Sequence, residues 1–244
     1  MRTEGIVLKE IRYKDTSKIL TIFTREHGKI SAMARGAYKP RSGLIANTQL
    51  FSHNEYEMYK GKNFYYINQG HVIDSFYSIR ENMDRVSYGY YMLEMIDKSL
   101  EEDENSEKIF QLLEKGLEIL SRLEEDFLKF IVGYELKFIS FLGYRPVIDK
   151  CVVCDGKIDS RSKFSIKNGG IICSNCFSED YLARKIDRNI YNSINDFLYT
   201  RLEDIGKINI SENSLCRLHS ILVDYILYNI DRKSFNSLNW IDCL

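Results

Sequence analysis

The sequence predicts an α+β protein: a small five-stranded β-barrel at the N-terminus, then an α-helical domain with an inserted four-cysteine zinc knuckle. Three observations carry this expectation. Apolar residues alternate with period two over about the first 75 residues. From Asn82 onward the apolar spacing becomes helical. Two Cys-x-x-Cys pairs, Cys151/Cys154 and Cys173/Cys176, interrupt the helical half. At 244 residues and 44% hydrophobic content the chain is large enough to bury a proper core.

In the strand region, "EGIVLKEI" places Ile6 and Leu8 on one side. "KILTIFT" sets Leu20 and Ile22 opposite Ile19 and Phe23, and "HGKISAMARG" alternates Ile30, Ala32 and Ala34. "LFSHNEYEMYKGKNFYYINQGHVID" reads as two strands around the turn Lys60-Gly61-Lys62-Asn63. Alternation bounded by Gly and Asn is the strand and hairpin signal. Five such strands fit the OB-fold, which twists and closes to hide its edges; other small barrels share the pattern.

In the helical region, Val86, Tyr90 and Leu93 mark a first helix. Ile109, Leu112, Leu113, Leu117 and Leu120 mark a second, with Ser106 as its N-cap. Phe127, Phe130, Ile131, Tyr134, Phe138 and Phe141 mark a third, which stops at Gly143 with Pro146 three residues on. The aromatics of that helix read as core packing, and the turn "EEDENSE" between the first two reads as solvated. Helical patterns recur at 190–198 and 215–226, before a tail, "RKSFNSLNWIDCL", whose end is expected to be weakly ordered. The implied division is 1–80 for the barrel, 81–146 with 181–235 for the helical domain, and 147–180 for the insert. No apolar run is long enough for a membrane span, and the N-terminus lacks a signal-peptide pattern; the expected location is the cytoplasm.

A formal net charge of −1 hides an asymmetry. Residues 1–80 carry 13 Lys+Arg against 7 Asp+Glu, residues 81–127 carry 5 against 14, and residues 128–244 carry 16 against 14. The excess cations of the first segment fall at turns between strands, where a basic surface attracts phosphates; two solvated faces of opposite sign are the alternative. The loop "ARGAYKPRSG" gathers Arg35, Lys39 and Arg41, and Arg12, Lys14, Lys60 and Lys62 sit at the other turns. Tyr38, with Tyr56 and Tyr66 behind it, is placed to stack on bases, which suits any sequence because every base has a π-face.

The two cysteine pairs are separated by 18 residues, a spacing that reads as a zinc site. Four thiolates complete a tetrahedron and leave no position for a substrate water, so the metal is expected to be structural. "KFSIKNGGIIC" reads as a hairpin that returns the second pair to the first, and Gly156 allows the tight knuckle. A dithiol redox pair and four packed thiols are the competing readings; Cys216 and Cys243 stand outside the pattern. No phosphate-binding loop, dinucleotide fingerprint or hydrolase motif occurs. The four histidines are scattered, His219 on a mainly apolar helix, and no nucleophile, base and orienting group assemble. No catalytic residue is assigned.

The order of parts resembles the RecO family of bacterial recombination mediators over essentially the whole chain. Three stretches carry the likeness: "YKDTSKILTIFTREHGKISAMARGAYKPRS", "FLGYRPVIDKCVVC" and "FSIKNGGIICSNC". Asp15 stands where the family commonly has glutamate, and Tyr38 interrupts a loop that is often more continuously basic. Some members lack the cysteines, which makes the zinc scaffolding. The resemblance implies binding of single- and double-stranded DNA, annealing of complementary strands, and help in loading RecA onto DNA coated by single-strand-binding protein. It implies two protein partners, RecR and the C-terminal tail of single-strand-binding protein, and an association with the nucleoid. That tail is acidic with an apolar end, so its site is expected to be a hydrophobic slot rimmed by cations. Lys129, Lys137 and Arg145 are the candidates, with simple solvation of the third helix as the alternative. Three rivals use the same residues: an RNA- or ribosome-associated OB-fold with a zinc ribbon, a zinc-stabilised adaptor that binds only proteins, and a thiol oxidoreductase.

Overall fold

Residues 1–241 are described in the computed structural model of the chain; Cys243 and the tail end expected to be weakly ordered lie outside the described residues. Strands β1 (Arg2–Tyr13), β2 (Ser17–Thr24), β3 (Gly28–Ala34), β4 (His53–Lys60) and β5 (Tyr65–Asp74) close into a barrel in the order β1-β2-β3-β5-β4. Its pairings are antiparallel except β3 with β5, which run parallel through Ala32↔Tyr65 and Met33↔Tyr66. This is the OB-like barrel that the alternating pattern predicts.

Val7, Leu20, Ile22, Ile30, Ala32, Ala34, Tyr56, Met58 and Ile67 fill the interior. Ile6, Leu8 and Phe23 have the opposite phase and point outward, yet they too are buried. Helices cover that side: α1 (Met83–Ser99) packs on β1, and Phe110 of α2 (Glu107–Leu120) meets Phe23 with ring centroids 5.7 Å apart.

Asn82 caps α1 by accepting from the Arg85 amide, and Ser106 caps α2 by accepting from Ile109. On α2 all five predicted apolar residues are buried. On α1 the predicted Leu93 is buried together with Tyr88, Tyr91, Met92, Met95 and Ile96, but the predicted Tyr90 is exposed. Gly89 explains the difference. A Cβ there would come within 2.9 Å of the Phe51 ring, so the helix presses its glycine side, which no count of apolar residues detects, against the neighbouring loop.

The acidic segment after α1 is not simply solvated. Glu102 bridges to Lys29 as a short parallel extension of β3, the Asp103 amide donates to the Lys29 carbonyl at 3.0 Å, and Ser31 Oγ donates to Glu102 at 3.2 Å. Gly28 makes this approach possible: its φ is +66°, and a Cβ would sit 2.3 Å from the Glu104 carbonyl oxygen. At the β2–β3 turn Arg25 binds Glu4 (2.9 Å), Glu107 (2.7 Å) and Glu114 (3.2 Å), its guanidinium 4.5 Å from the centre of the Phe110 ring.

The chain divides into two compact units, Met1–Leu123 with Ser237–Trp240, and Glu124–Asn236 with Ile241. By this division α1 and α2 group with the barrel. In the second unit α3 (Phe127–Phe141) packs on α4 (Arg188–Tyr199) and α5 (Glu212–Asn229). Gly143, at φ +93°, follows the last turn of α3 as its spacing predicts. His219 is buried against Glu135 at 3.0 Å, a core pair between α5 and α3. Strands β6 (Lys163–Ser165), β7 (Gly170–Ile172) and β8 (Arg184–Lys185) form a small sheet in the order β7-β6-β8. Among the described residues, no helix is long and apolar enough to cross a membrane.

His53 is buried with Glu4 at 3.4 Å and Glu114 at 3.5 Å, and Arg25 binds both carboxylates. Desolvation lowers its pKa below the ordinary 6.5; Glu114 and Glu4 oppose that shift without cancelling it, and Arg25 adds to it. The unfolded chain therefore takes up a proton at a pH where the folded chain does not, and stability is lost as pH falls below 6.5. Thermal midpoints measured across this range should fall more steeply for the wild type than for His53→Gln. Parallel profiles would contradict the assignment.

Candidate nucleic-acid interface and metal centre

The parallel β3–β5 pairing brings the β1–β2 turn, the exit of β3 and the β4–β5 turn to one end of the barrel, where they enclose a groove of about 760 Å³. Lys14, Arg35, Lys39, Arg41 and Lys62 line it, together with Tyr66, Phe64 and Asn63. The "ARGAYKPRSG" loop holds its shape by turn chemistry. Gly36 sits at φ +71°, the Lys39 amide donates to the Gly36 carbonyl at 2.9 Å, and the Ser42 amide to the Lys39 carbonyl at 3.0 Å. The Tyr38 amide donates to the Thr16 carbonyl at 2.9 Å, which pins the loop to the β1–β2 turn. Lys14 (φ 54°) and Arg41 (φ 65°) both hold left-handed backbone, a conformation that costs roughly 1–2 kcal/mol for such residues.

Charge pairing among the described residues divides the cations of the barrel, and Lys9, Arg12 and Lys60 fall with these five on the unpaired side. Arg2, Lys18, Arg25 and Lys29 each have a carboxylate partner. Among the described residues, none of the five groove cations forms a salt bridge. A concave site holding five like charges in a few hundred cubic ångströms has a field that a polyanion neutralises.

The other sequence-predicted residues lie outside the groove lining. Tyr38 is 46% exposed, with the Arg12 guanidinium 5.5 Å and Lys18 Nζ 5.0 Å from its ring centre. Lys60 lies 5.5 Å from the Tyr65 ring centre and lines a smaller cleft shared with Glu102 and Asp103. Tyr56 does not stack on anything outside the barrel. It is fully buried, its hydroxyl donates to the Asn47 carbonyl at 2.6 Å and accepts from Asn54 at 2.9 Å, and burial drives its pKa far above the normal tyrosine range. Its strand parity, shared with Met58, points inward. Tyr66 faces outward but is already occupied: Arg35 lies 4.4 Å from its ring centre, and Tyr59 stacks on it with centroids 5.1 Å apart. Tyr59 is the aromatic that the sequence reading missed, and its parity opposite to Tyr56 is the signal that identifies it.

In the second unit, Lys129 pairs with Asp126 at 3.1 Å and donates to the Gly206 carbonyl at 3.3 Å. Lys137 donates to the Thr200 carbonyl at 2.7 Å and the Phe197 carbonyl at 3.4 Å, so it caps the C-terminal end of α4. Burial lowers its pKa. Arg145 is exposed, 5.0 Å from the Tyr199 ring centre. Lys137 and Arg145 thus both lie at the C-terminal end of α4, and Lys129 lies against Gly206.

The four knuckle cysteines come together as the hairpin reading predicts, with all four Sγ atoms within 4.8 Å of one another. The Cys154–Cys173 and Cys173–Cys176 Sγ distances are each 3.8 Å. Tetrahedral coordination with metal–sulfur bonds of about 2.3 Å has sulfur–sulfur edges of about 3.8 Å, so the donor set fits such an ion. The Cys151 thiol is pushed upward by burial, but amide hydrogen bonds from Cys173, Cys154 and Val153 outweigh this and lower it to about 6. The left-handed residue of the first knuckle is Asp155 (φ 56°), not Gly156. Gly156 is needed for room, since a Cβ there would lie 3.1 Å from Cys154 Sγ.

These features define a class: an OB-like barrel with one cationic end, carried in a chain whose helical portion holds a four-thiolate knuckle. The family model described as "Recombination protein O N terminal" matches residues 1–76, and "Recombination protein O C terminal" matches residues 80–239. The chain belongs to the RecO family. A relative from Alkaliphilus metalliredigens, called DNA repair protein RecO, is 34% identical over 238 residues, covering 98% of this chain and 97% of its own. One of the same name from Acetivibrio thermocellus is 31% identical over 244 residues, covering 100% and 97%. Another, from Bacillus pumilus, is 34% identical over 244 residues, covering 98% and 94%.

Proposed function

We propose that this chain is a DNA-binding recombination mediator in recombinational repair that holds single strands by their phosphates, lets complementary strands anneal, and acts with RecR to help load RecA onto DNA coated by single-strand-binding protein. The observation that carries the reading is the groove whose five lining cations lack acidic partners, in a chain of this family. Each phosphate neutralised there releases a condensed counterion, so binding weakens steeply as salt rises. Annealing needs no catalytic group. A cationic surface that keeps two polyanions close reduces their repulsion and raises their effective concentration, and base pairing supplies the free energy. Its setting is the cytoplasm, at the nucleoid. For the acidic tail of single-strand-binding protein, Arg145 over Tyr199, near exposed Phe141 and Tyr144, supports an aromatic and cationic docking surface in the second unit.

The four thiolates hold one zinc ion as a structural cross-link between the β6–β7 hairpin and the knuckle before it. The ion, once bound, supplies folding free energy and not a reactive site. What supports this is a donor set of tetrahedral dimensions and entirely of sulfur.

Two measurements test these readings. Replacing Arg35, Lys39 and Arg41 together by alanine should weaken oligonucleotide binding and reduce the log–log salt slope by about 2, while leaving the fold intact by circular dichroism. An unaltered slope would remove the groove from DNA binding. Metal analysis of protein purified without chelator should return about one zinc per chain, and background for Cys151→Ser with Cys176→Ser. Metal-free protein with four freely titratable thiols and an unchanged fold would rule the centre out.

A further inference from the structure

We infer that Tyr59 is a base-stacking platform beside the basic groove, taking an unpaired nucleobase of a strand whose phosphates lie in that groove; the inference rests on the nucleic-acid reading above. Strands β3, β5 and β4 lie side by side. Arg35 follows the last residue of β3, Tyr66 is on β5 and Tyr59 on β4, and they form a continuous row on the barrel's outer surface. The guanidinium of Arg35 is 4.4 Å from the centre of the Tyr66 ring. Tyr66 and Tyr59 are directly opposite in the β4–β5 register, their rings 5.1 Å apart and 16° from parallel. Arg35 and Tyr66 line the groove, so the row begins among the phosphate-binding cations and ends at Tyr59.

Tyr59 is 46% exposed although it is stacked. On the side away from Tyr66, Met1 is bonded to Met58, its ammonium donating to the Met58 carbonyl at 2.6 Å and its carbonyl accepting from the Met58 amide at 2.9 Å. A cross-strand aromatic pair stabilises the sheet, and this one also leaves one of its rings open to solvent. The Tyr59 ring is stacked on Tyr66, which in turn carries Arg35 at its own ring, and the part of Tyr59 left in solvent offers a face to a base. Stacking on such a face contributes to single-strand binding whatever the base. Charge sets the direction of the strand. Glu55 further back along β4 is taken up by Arg2, whereas Lys60 and Lys62 follow Tyr59 without a carboxylate partner among the described residues, so the backbone leaves Tyr59 toward the β4–β5 turn. Bases of an intact duplex already stack on one another and offer no free face, so Tyr59 favours unpaired strands.

The test compares a thymidine oligonucleotide with an abasic strand of equal length and charge, at one salt concentration. Wild-type protein should bind the thymidine strand about tenfold more tightly. Tyr59→Leu should lose that difference and bind both strands as the wild type binds the abasic one, with unchanged salt slope and unchanged affinity for duplex. Tyr59→Phe should retain it. Equal wild-type affinity for the two strands overturns the proposal even if Tyr59→Leu fails to fold, and leaves phosphate binding standing. Loss of duplex and abasic binding in a folded Tyr59→Leu also overturns it, because the residue would then support the groove and not a base. Absence of wild-type binding to either strand at low salt overturns it together with the nucleic-acid reading.

Discussion

Two residue pairs close the barrel. Ala32↔Tyr65 and Met33↔Tyr66 are the only contacts in parallel register among five strands, and they convert a curled antiparallel ribbon into a closed cylinder. A one-residue slip would reverse every side chain of β5, sending Ile67 outward and Tyr66 into the core. The same two pairs bring the exit of β3 beside the start of β5, which sets Arg35 against Tyr66 and turns three separate basic loops into one surface. Small inward residues make the closure possible. Ala32 and Ala34 leave room inside for Tyr56, the largest side chain of that interior.

Around this cylinder the charges sort by end. At the β2–β3 end Arg25 is held by three carboxylates, two of them from α2, and a second cation, Lys29, lies against Asp97. At the opposite end the groove cations have no carboxylate among the described residues to hold them. Asp97, Glu107 and Glu114 are thus local in their action: they discharge the β2–β3 end of the barrel and leave the groove cations unpaired. The near-zero net charge of the chain conceals a dipolar arrangement.

Much of this was legible from the residues. Alternation located the strands, Ser106 and Gly143 marked helix ends, and the cysteine spacing brought together four sulfurs that lie far apart in the chain. The failures have physical causes. Tyr56 was offered to solvent because its strand begins with a buried polar group: Asn54 lies inside, bonded to Tyr56 and Asn47, and this hides the inward phase of the strand. Tyr59 was overlooked for the same reason. Lys137 looks free in a sequence because its partners are backbone carbonyls 60 and 63 residues away, groups present at every position and therefore without a signature. The α1 stripe was misplaced at Tyr90 because a glycine, not an apolar side chain, marks its closest contact.

The segment around Glu102 does more than supply charge. β5 meets β3 at only two positions, so the earlier part of β3, from Gly28 to Ser31, would otherwise present unsatisfied backbone groups along that side. Glu102 and Asp103 occupy the place as a one-bridge strand substitute, seated in the hollow that Gly28 leaves. A bare sheet margin invites intrusion by any extended polypeptide, and a short anionic cover is among the ways proteins prevent it. The plug covers the margin that a barrel closed at so few positions would otherwise leave open.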